Sequence, residues 1–134
     1  MADKIITMEV VSPERLVLRE EVDSLVVPAA QGYLGVLPDH APLVTGLKPG
    51  VVKYRVNGEV KRMAVSGGFM EVKDNKAVLL ADTAERAEEI DVARAIRAKE
   101  RAERRLQERT ADLDVARAET ALQRSLARIR AAGK

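Results

Sequence analysis

Few residues in this chain have the means to do chemistry. His40 is the only histidine and there is no cysteine, so a metal site or a nucleophilic triad lacks the converging partners that such sites need. His40 is therefore read as structural or as part of an interface. Ser66-Gly67-Gly68 sets a hydroxyl beside two freely turning backbone units, the makings of a phosphate nest or a nucleophile turn. A tight bend between strands is the simpler reading. The larger store of chemistry is guanidinium. From Arg94 onward there are twelve basic and six acidic residues, an excess of six positive charges, whereas the balance before Arg94 is acidic. Arginines fork onto carboxylate and phosphate oxygens. They also form solvated helix faces, here with Glu100 and Arg104 spaced as an i,i+4 pair and Arg101 opposed to Arg105. No Gly-rich turn followed by Lys-Ser/Thr is present, so a P-loop is excluded. A basic arm would also suit a nucleic-acid-binding module, the alternative reading. The acidic first part and the lack of aromatic stacking residues near the arginines count against it.

The elements that must position these residues change character along the chain. From Ile5 to about Leu80 the pattern is strand-like. MEVVS (8–12) leads to Pro13; RLVLREEV (15–22) alternates Leu16 and Leu18 against Arg15 and Arg19; LVVPAA (25–30) ends at its proline. VVKYRV and EVKRMAV flank Asn57-Gly58, the dipeptide best suited to a type I′ hairpin, and FMEVK and KAVLLAD flank Asp74-Asn75. Gly32 to Thr45, GYLGVLPDHAPLVT, holds two glycines, two prolines and the histidine. It is too punctuated for one regular strand and too apolar for a loose linker, so it is expected to be a fixed crossover that reaches the surface.

Beyond Arg86 the period becomes helical. Val92, Ala95, Ile96, Ala102 and Leu106 form one stripe, and Val115, Ala118, Leu122, Leu126 and Ile129 a second. Asp91 and Asp112 are placed as N-caps. A short connection at Glu108 to Ala111 folds the helices into an antiparallel hairpin. The predicted class is α+β: an antiparallel β-sandwich over 1–86, then a two-helix hairpin over 87–134. The hairpin's stripes are mostly Ala. Each fully buried large aliphatic side chain supplies about 1.5 to 3 kcal/mol, and there are few to set against the ordering cost, so the hairpin is expected to need something to dock on. No apolar run approaches the roughly 18 residues of a membrane span. The N-terminus lacks the layout of a signal peptide, and a soluble chain is expected.

GYLGVLPDHAPLVT, followed by LKPG at Leu47 to Gly50, SGGF at Ser66 to Phe69 and LADTAER at Leu80 to Arg86, resembles the epsilon subunit of bacterial and chloroplast F-type ATP synthases. The likeness covers essentially the whole chain, in the family's order and spacing. It implies a non-catalytic subunit of the central rotor stalk of a proton-translocating ATP synthase, with no catalytic residue, no metal and no nucleic-acid partner. Positions matching Gly32, Tyr33, Leu34 and Gly35 face the c-subunit ring in that family, which often has an acidic residue where this chain has Tyr33. Positions matching Ser12, His40, Ala41, Pro42 and Thr45 lie near the gamma subunit.

The resemblance further implies a regulatory arm. Compact, the hairpin lies against the sandwich; extended, it enters the alpha/beta catalytic head and blocks rotation, with Arg97, Arg101, Arg104, Arg105 and Arg109 meeting an acidic segment of the beta subunit. Ile90-Asp91-Val92-Ala93-Arg94-Ala95 matches the pattern by which some bacterial members bind ATP in the compact state. Carried over residue by residue, the candidates are Glu85, Ile90, Asp91, Arg94, Ala95, Arg101, Arg124 and Arg128. No cofactor is required, and ATP, with or without Mg, is the implied regulatory ligand. The implied location is peripheral, on the cytoplasmic face of a bacterial plasma membrane or the stromal face of a thylakoid, with the membrane touched only through the complex.

Overall fold

The structure, a computed structural model, describes residues 4–133. Eight strands come first: β1 (Ile6–Val11), β2 (Leu16–Val22), β3 (Ser24–Ala29), β4 (Gly32–Val36), β5 (Leu43–Val56), β6 (Glu59–Lys73), β7 (Lys76–Ala81) and β8 (Ala84–Arg86). A 3₁₀ turn (Ala87–Glu89) leads to helices α1 (Val92–Glu108) and α2 (Val115–Ala131). Both predicted hairpin turns form. Asn57 and Gly58 have φ of 51° and 81°, Asp74 and Asn75 of 51° and 58°, so each loop has the two positive values of a type I′ turn. Asn and Asp tolerate that region because their short polar side chains bond locally.

The strands run in the order β2-β1-β7-β6-β5-β3-β4, with β8 also on β6. Two long strands serve both layers of the sandwich. The second half of β6 pairs with β7 (Gly68 with Ala81 through Lys73 with Lys76), and its first half pairs with β8 (Met63 with Arg86, Val65 with Ala84). Strand β5 follows β6 throughout and gives its own second half to β3. The bend that permits this is at Gly67 and Gly68, with φ of 120° and 133°. A Cβ on Gly68 would strike the Leu80 carbonyl and lie 2.9 Å from Ala81 Cα. Ser66-Gly67-Gly68 is thus a corner inside one strand, not a bend between two. The short strands expected on either side of LKPG and SGGF are correspondingly continuous.

Three further expectations are corrected. Strand β1 pairs with β7 in parallel, while all the other pairs are antiparallel. Pro28 lies within β3, at the register shift against β5, where no ladder bond is forfeited. Helix α2 is capped by Asp114, whose Oδ1 accepts from Arg117 N at 3.0 Å; Asp112 stays in the connecting loop.

Ile6, Met8, Val10, Leu25, Val52, Met63, Met70 and Leu79 fill the space between the layers and are fully buried. The core is aliphatic, as the composition required. Its one tyrosine, Tyr54, has its hydroxyl pKa raised, first by burial and then by the Glu88 and Glu20 carboxylates.

Candidate functional site at the junction of sandwich and helices

Helix α2 lies on the outer face of the second layer, where Ala127 and Ala131 pack against Val51 of β5 and Ala64 of β6, with Ile90 alongside. Helix α1 packs chiefly on α2. Its buried residues are Ala95 and Ala102, and α2 adds Ala118 and Ser125, whose spacing of seven returns each pair to one face. Ser125 satisfies its hydroxyl on the Ala121 carbonyl at 3.0 Å. Small residues are fully buried because the helices approach closely. The larger Leu106, Leu122, Leu126 and Ile129 are only half-buried, and Ile96, expected on the buried stripe, is exposed.

Where strand gives way to helix, three local devices set the side chains. Glu89 folds back so that Oε1 accepts from Arg86 N (3.2 Å) and Nε (3.1 Å), and its Oε2 lies 3.4 Å from Arg15 Nη2. The Arg86 backbone and side-chain bonds hold the Glu89 carboxyl below its ordinary range, and Glu89 in turn raises Arg86. Asp91 caps α1, accepting from Arg94 N at 3.0 Å. From α2, Arg128 Nε donates to Glu85 Oε1 on β8 at 2.6 Å, with both side chains about one-third exposed.

These devices enclose a cleft of about 490 Å³. Of the eight candidate nucleotide residues, Glu85, Asp91, Arg94, Ala95 and Arg128 line it. Arg124 lines a narrow adjoining groove with Glu85 and Arg128. The other two are placed elsewhere. Ile90 belongs to the apolar contact under α2, and Arg101 is two turns, about 10 Å, up α1 from Arg94. Arg94 and Arg124 have no carboxylate within 4.0 Å among the described residues. The cleft is thus lined by one guanidinium that is unpaired among the described residues, Arg94, by the paired Arg15 and Arg128, and by the carboxylates of Glu14, Asp82, Glu85, Glu89 and Asp91. Ser12, Arg15 and Glu89 also line it, and sequence reasoning did not include Arg15 or Glu89. Their ion pair spans 74 residues, and no local pattern records it.

The other candidates fall in separate places. Gly32, Tyr33, Leu34 and Gly35 make up most of β4, an end strand of the sheet. Tyr33 is 62% exposed, while Leu34 packs on the core. His40, Ala41 and Pro42 occupy the β4–β5 loop and Thr45 the start of β5. The His40 ring Nδ1 is 2.7 Å from the Ala41 carbonyl oxygen. Ser12 follows β1 at the opposite end of this layer, roughly 20 Å of strand away, so it does not join the His40 group. Arg97, Arg101, Arg104, Arg105 and Arg109 are all exposed. Among the described residues none of them is within 4.0 Å of a carboxylate, and the Glu100–Arg104 pair does not form. Among the described residues, no group of acidic and histidine side chains is placed to hold a metal ion.

The outer face of the first layer holds a surface absent from the sequence reading. Register aligns Gly46, Phe69, Leu80, Val11 and Leu16 across five strands, with Val44 one rung away. Phe69 is 62% exposed, Leu80 55%, Leu16 54% and Val44 67%. Alternation hid this face, because Leu16 and Leu18 read as one buried row. A bulge opposite Val10 and Val11 instead turns Val17 inward, at 7% exposure.

The molecule is thus a β-sandwich with an exposed apolar rung on one outer face and a two-helix hairpin packed on the other. The matching family models are those of the ATP synthase delta/epsilon chain, its β-sandwich domain over residues 5–87 and its long α-helix domain over 88–133. Similar curated proteins named "ATP synthase epsilon chain" include one from Carboxydothermus hydrogenoformans, 58% identical over 134 residues and covering 100% of this chain and 99% of that one. Another, from Pelotomaculum thermopropionicum, is 57% identical with 100% of both chains covered. Among solved structures, a chain of the Euglena gracilis mitochondrial ATP synthase (OSCP/F1/c-ring) superposes with a TM-score of 0.81 at 25% identity, covering 100% of this chain and 84% of that one. The chain belongs to the delta/epsilon family of ATP synthases, as a non-catalytic stalk subunit of the epsilon type. Among the described residues no helix is long and apolar enough to cross a membrane.

Proposed function

We propose that this chain couples the gamma subunit to the c ring of a proton-translocating ATP synthase and carries, in α1 and α2, a releasable brake on ATP hydrolysis that ATP holds in the docked position. The observation that carries this reading is how lightly the arm is held. Only α2 makes substantial contact with the sandwich, through alanines and one ion pair, and that Arg128–Glu85 pair lies in the cleft that contains Asp91 and Arg94. Burial of a methyl-sized group contributes about 0.8 kcal/mol, and a partly exposed ion pair about 0 to 1 kcal/mol. A ligand spanning the cleft can therefore shift the balance between docked and released arm.

In this reading the exposed rung through Phe69 and Leu80 docks on gamma, and Tyr33 anchors the edge strand on the ring as an amphipathic aromatic. Once released, the arm carries Arg97, Arg101, Arg104, Arg105 and Arg109 to acidic residues of the catalytic head. The assembly is reached at the membrane through the complex, on its cytoplasmic face.

Calorimetric titration of the full chain with ATP, with and without Mg, tests the regulatory half. Asp91→Ala and Arg94→Ala are each expected to weaken binding about tenfold, as loss of a charge-assisted bond requires. No heat and no thermal shift at millimolar ATP would discard the ligand. In the assembled enzyme, ending the chain at Ala111 is expected to raise the hydrolysis rate.

A further inference from the structure

On the flank of α2 away from the junction cleft, the charges do not balance. Register sets Lys53 of β5 directly opposite Arg62 of β6, an arrangement of like charges that destabilises an antiparallel pair. Helix α2 brings a third cation to them. Its last turn holds Arg128 and Arg130; Arg128 is matched by Glu85, but Arg130 shares with Lys53 and Arg62 a cleft of about 600 Å³. Among the described residues none of these three has a carboxylate within 4.0 Å. The negative end of the α2 dipole offsets roughly half a charge and leaves most of the excess. Val26, Val51 and the exposed Tyr33 supply the apolar walls.

We propose that this cleft binds a soluble di- or triphosphate, which neutralises the three cations and pins the last turn of α2 to the sandwich. Two guanidiniums and an ammonium from three elements suit a multiply charged phosphate, because each arginine can fork onto two oxygens while lysine acts as a point charge. The site is separate from the junction cleft and goes beyond the function proposed above, since Arg130 serves here and Arg94 serves there.

Pyrophosphate is the probe, titrated into the full chain at physiological salt and read by calorimetry and by amide exchange across α2. Saturable binding with slowed exchange at the C-terminal turn of α2 is expected. Lys53→Gln and Arg130→Gln should each weaken the binding that slows exchange at this turn about tenfold, while Arg94→Gln, which acts in the junction cleft, leaves that local slowing in place. Without ligand, Arg62→Gln should raise the melting temperature by relieving the Lys53 repulsion, which also shows that the variant folds. Absence of binding at millimolar pyrophosphate overturns the proposal. So does binding that Arg94→Gln abolishes and Arg130→Gln leaves unchanged, an outcome that would leave the junction reading standing.

Discussion

At the scale of single residues, the strand corner leaves no room for a side chain, and the junction holds a carboxyl whose pKa is lowered by its arginine partners. Gly68 combines a φ of 133° with backbone on the side where a Cβ would point. Gly68→Ala must move β7 or flatten the bend, and is expected to cost about 3 kcal/mol or more by urea denaturation, since strained backbone and steric overlap add. Glu89 gives a signed prediction. Its folded pKa is lowered by Arg86 and Arg15, so its contribution to stability is fully present above the unfolded value of about 4.3 and is lost as pH falls through the lower folded value. Thermal melts of Glu89→Gln and the parent should therefore differ by a constant amount at neutral pH and converge as the solution is acidified below about pH 4. Persistence of the full difference in acid would show that Glu89 acts by packing and not by charge.

At the scale of elements, helix α2 is the hinge of the molecule's energetics. It is held by alanines on both sides, so removing the arm should cost the sandwich little. A chain ending after Arg86 keeps β1 to β8 and the whole of the principal core, and is expected to retain a cooperative melt and strand-type circular dichroism. An unfolded product would mean that the patch at Val51 and Ala64 cannot stand uncovered. Legibility in the sequence follows the same division. Period two, period 3.6 and the Asn57-Gly58 turn are local signals, and they yielded the strands, the hairpin and the capping role of Asp91. Whether Asp112 or Asp114 caps α2, and which way Leu16 faces, depended on a loop length and a bulge that hydrophobic pattern does not encode. The candidate cleft was legible through family motifs, which placed five of its lining residues. The Arg15–Glu89 pair arises only when segments 74 residues apart are brought together, whereas the Lys53–Arg62 opposition is already implicit in the register of the two-residue Asn57-Gly58 hairpin.

At the scale of the whole molecule, the two outer faces of the sandwich have different fates. One is covered by the chain's own α2; the other presents Phe69, Leu80, Leu16 and Val44 to solvent. Large side chains left more than half exposed contribute little to the isolated fold, so polar replacements there should leave its stability within about 0.5 kcal/mol. In the proposed reading their worth appears on association, where a well-packed, fully desolvated anchor accounts for about 2 kcal/mol or more of binding. The double substitution Phe69→Ser and Leu80→Ser is accordingly expected to preserve the melting temperature while weakening capture of the gamma subunit by more than about thirtyfold. Tyr33→Ser, on the edge strand of the other layer, should leave gamma capture unchanged. If Phe69→Ser with Leu80→Ser instead unfolds the chain, the face is structural. If the chain stays folded and gamma binding is unaltered, the docking surface lies elsewhere, and the His40 loop and the β4 edge become the surfaces to test.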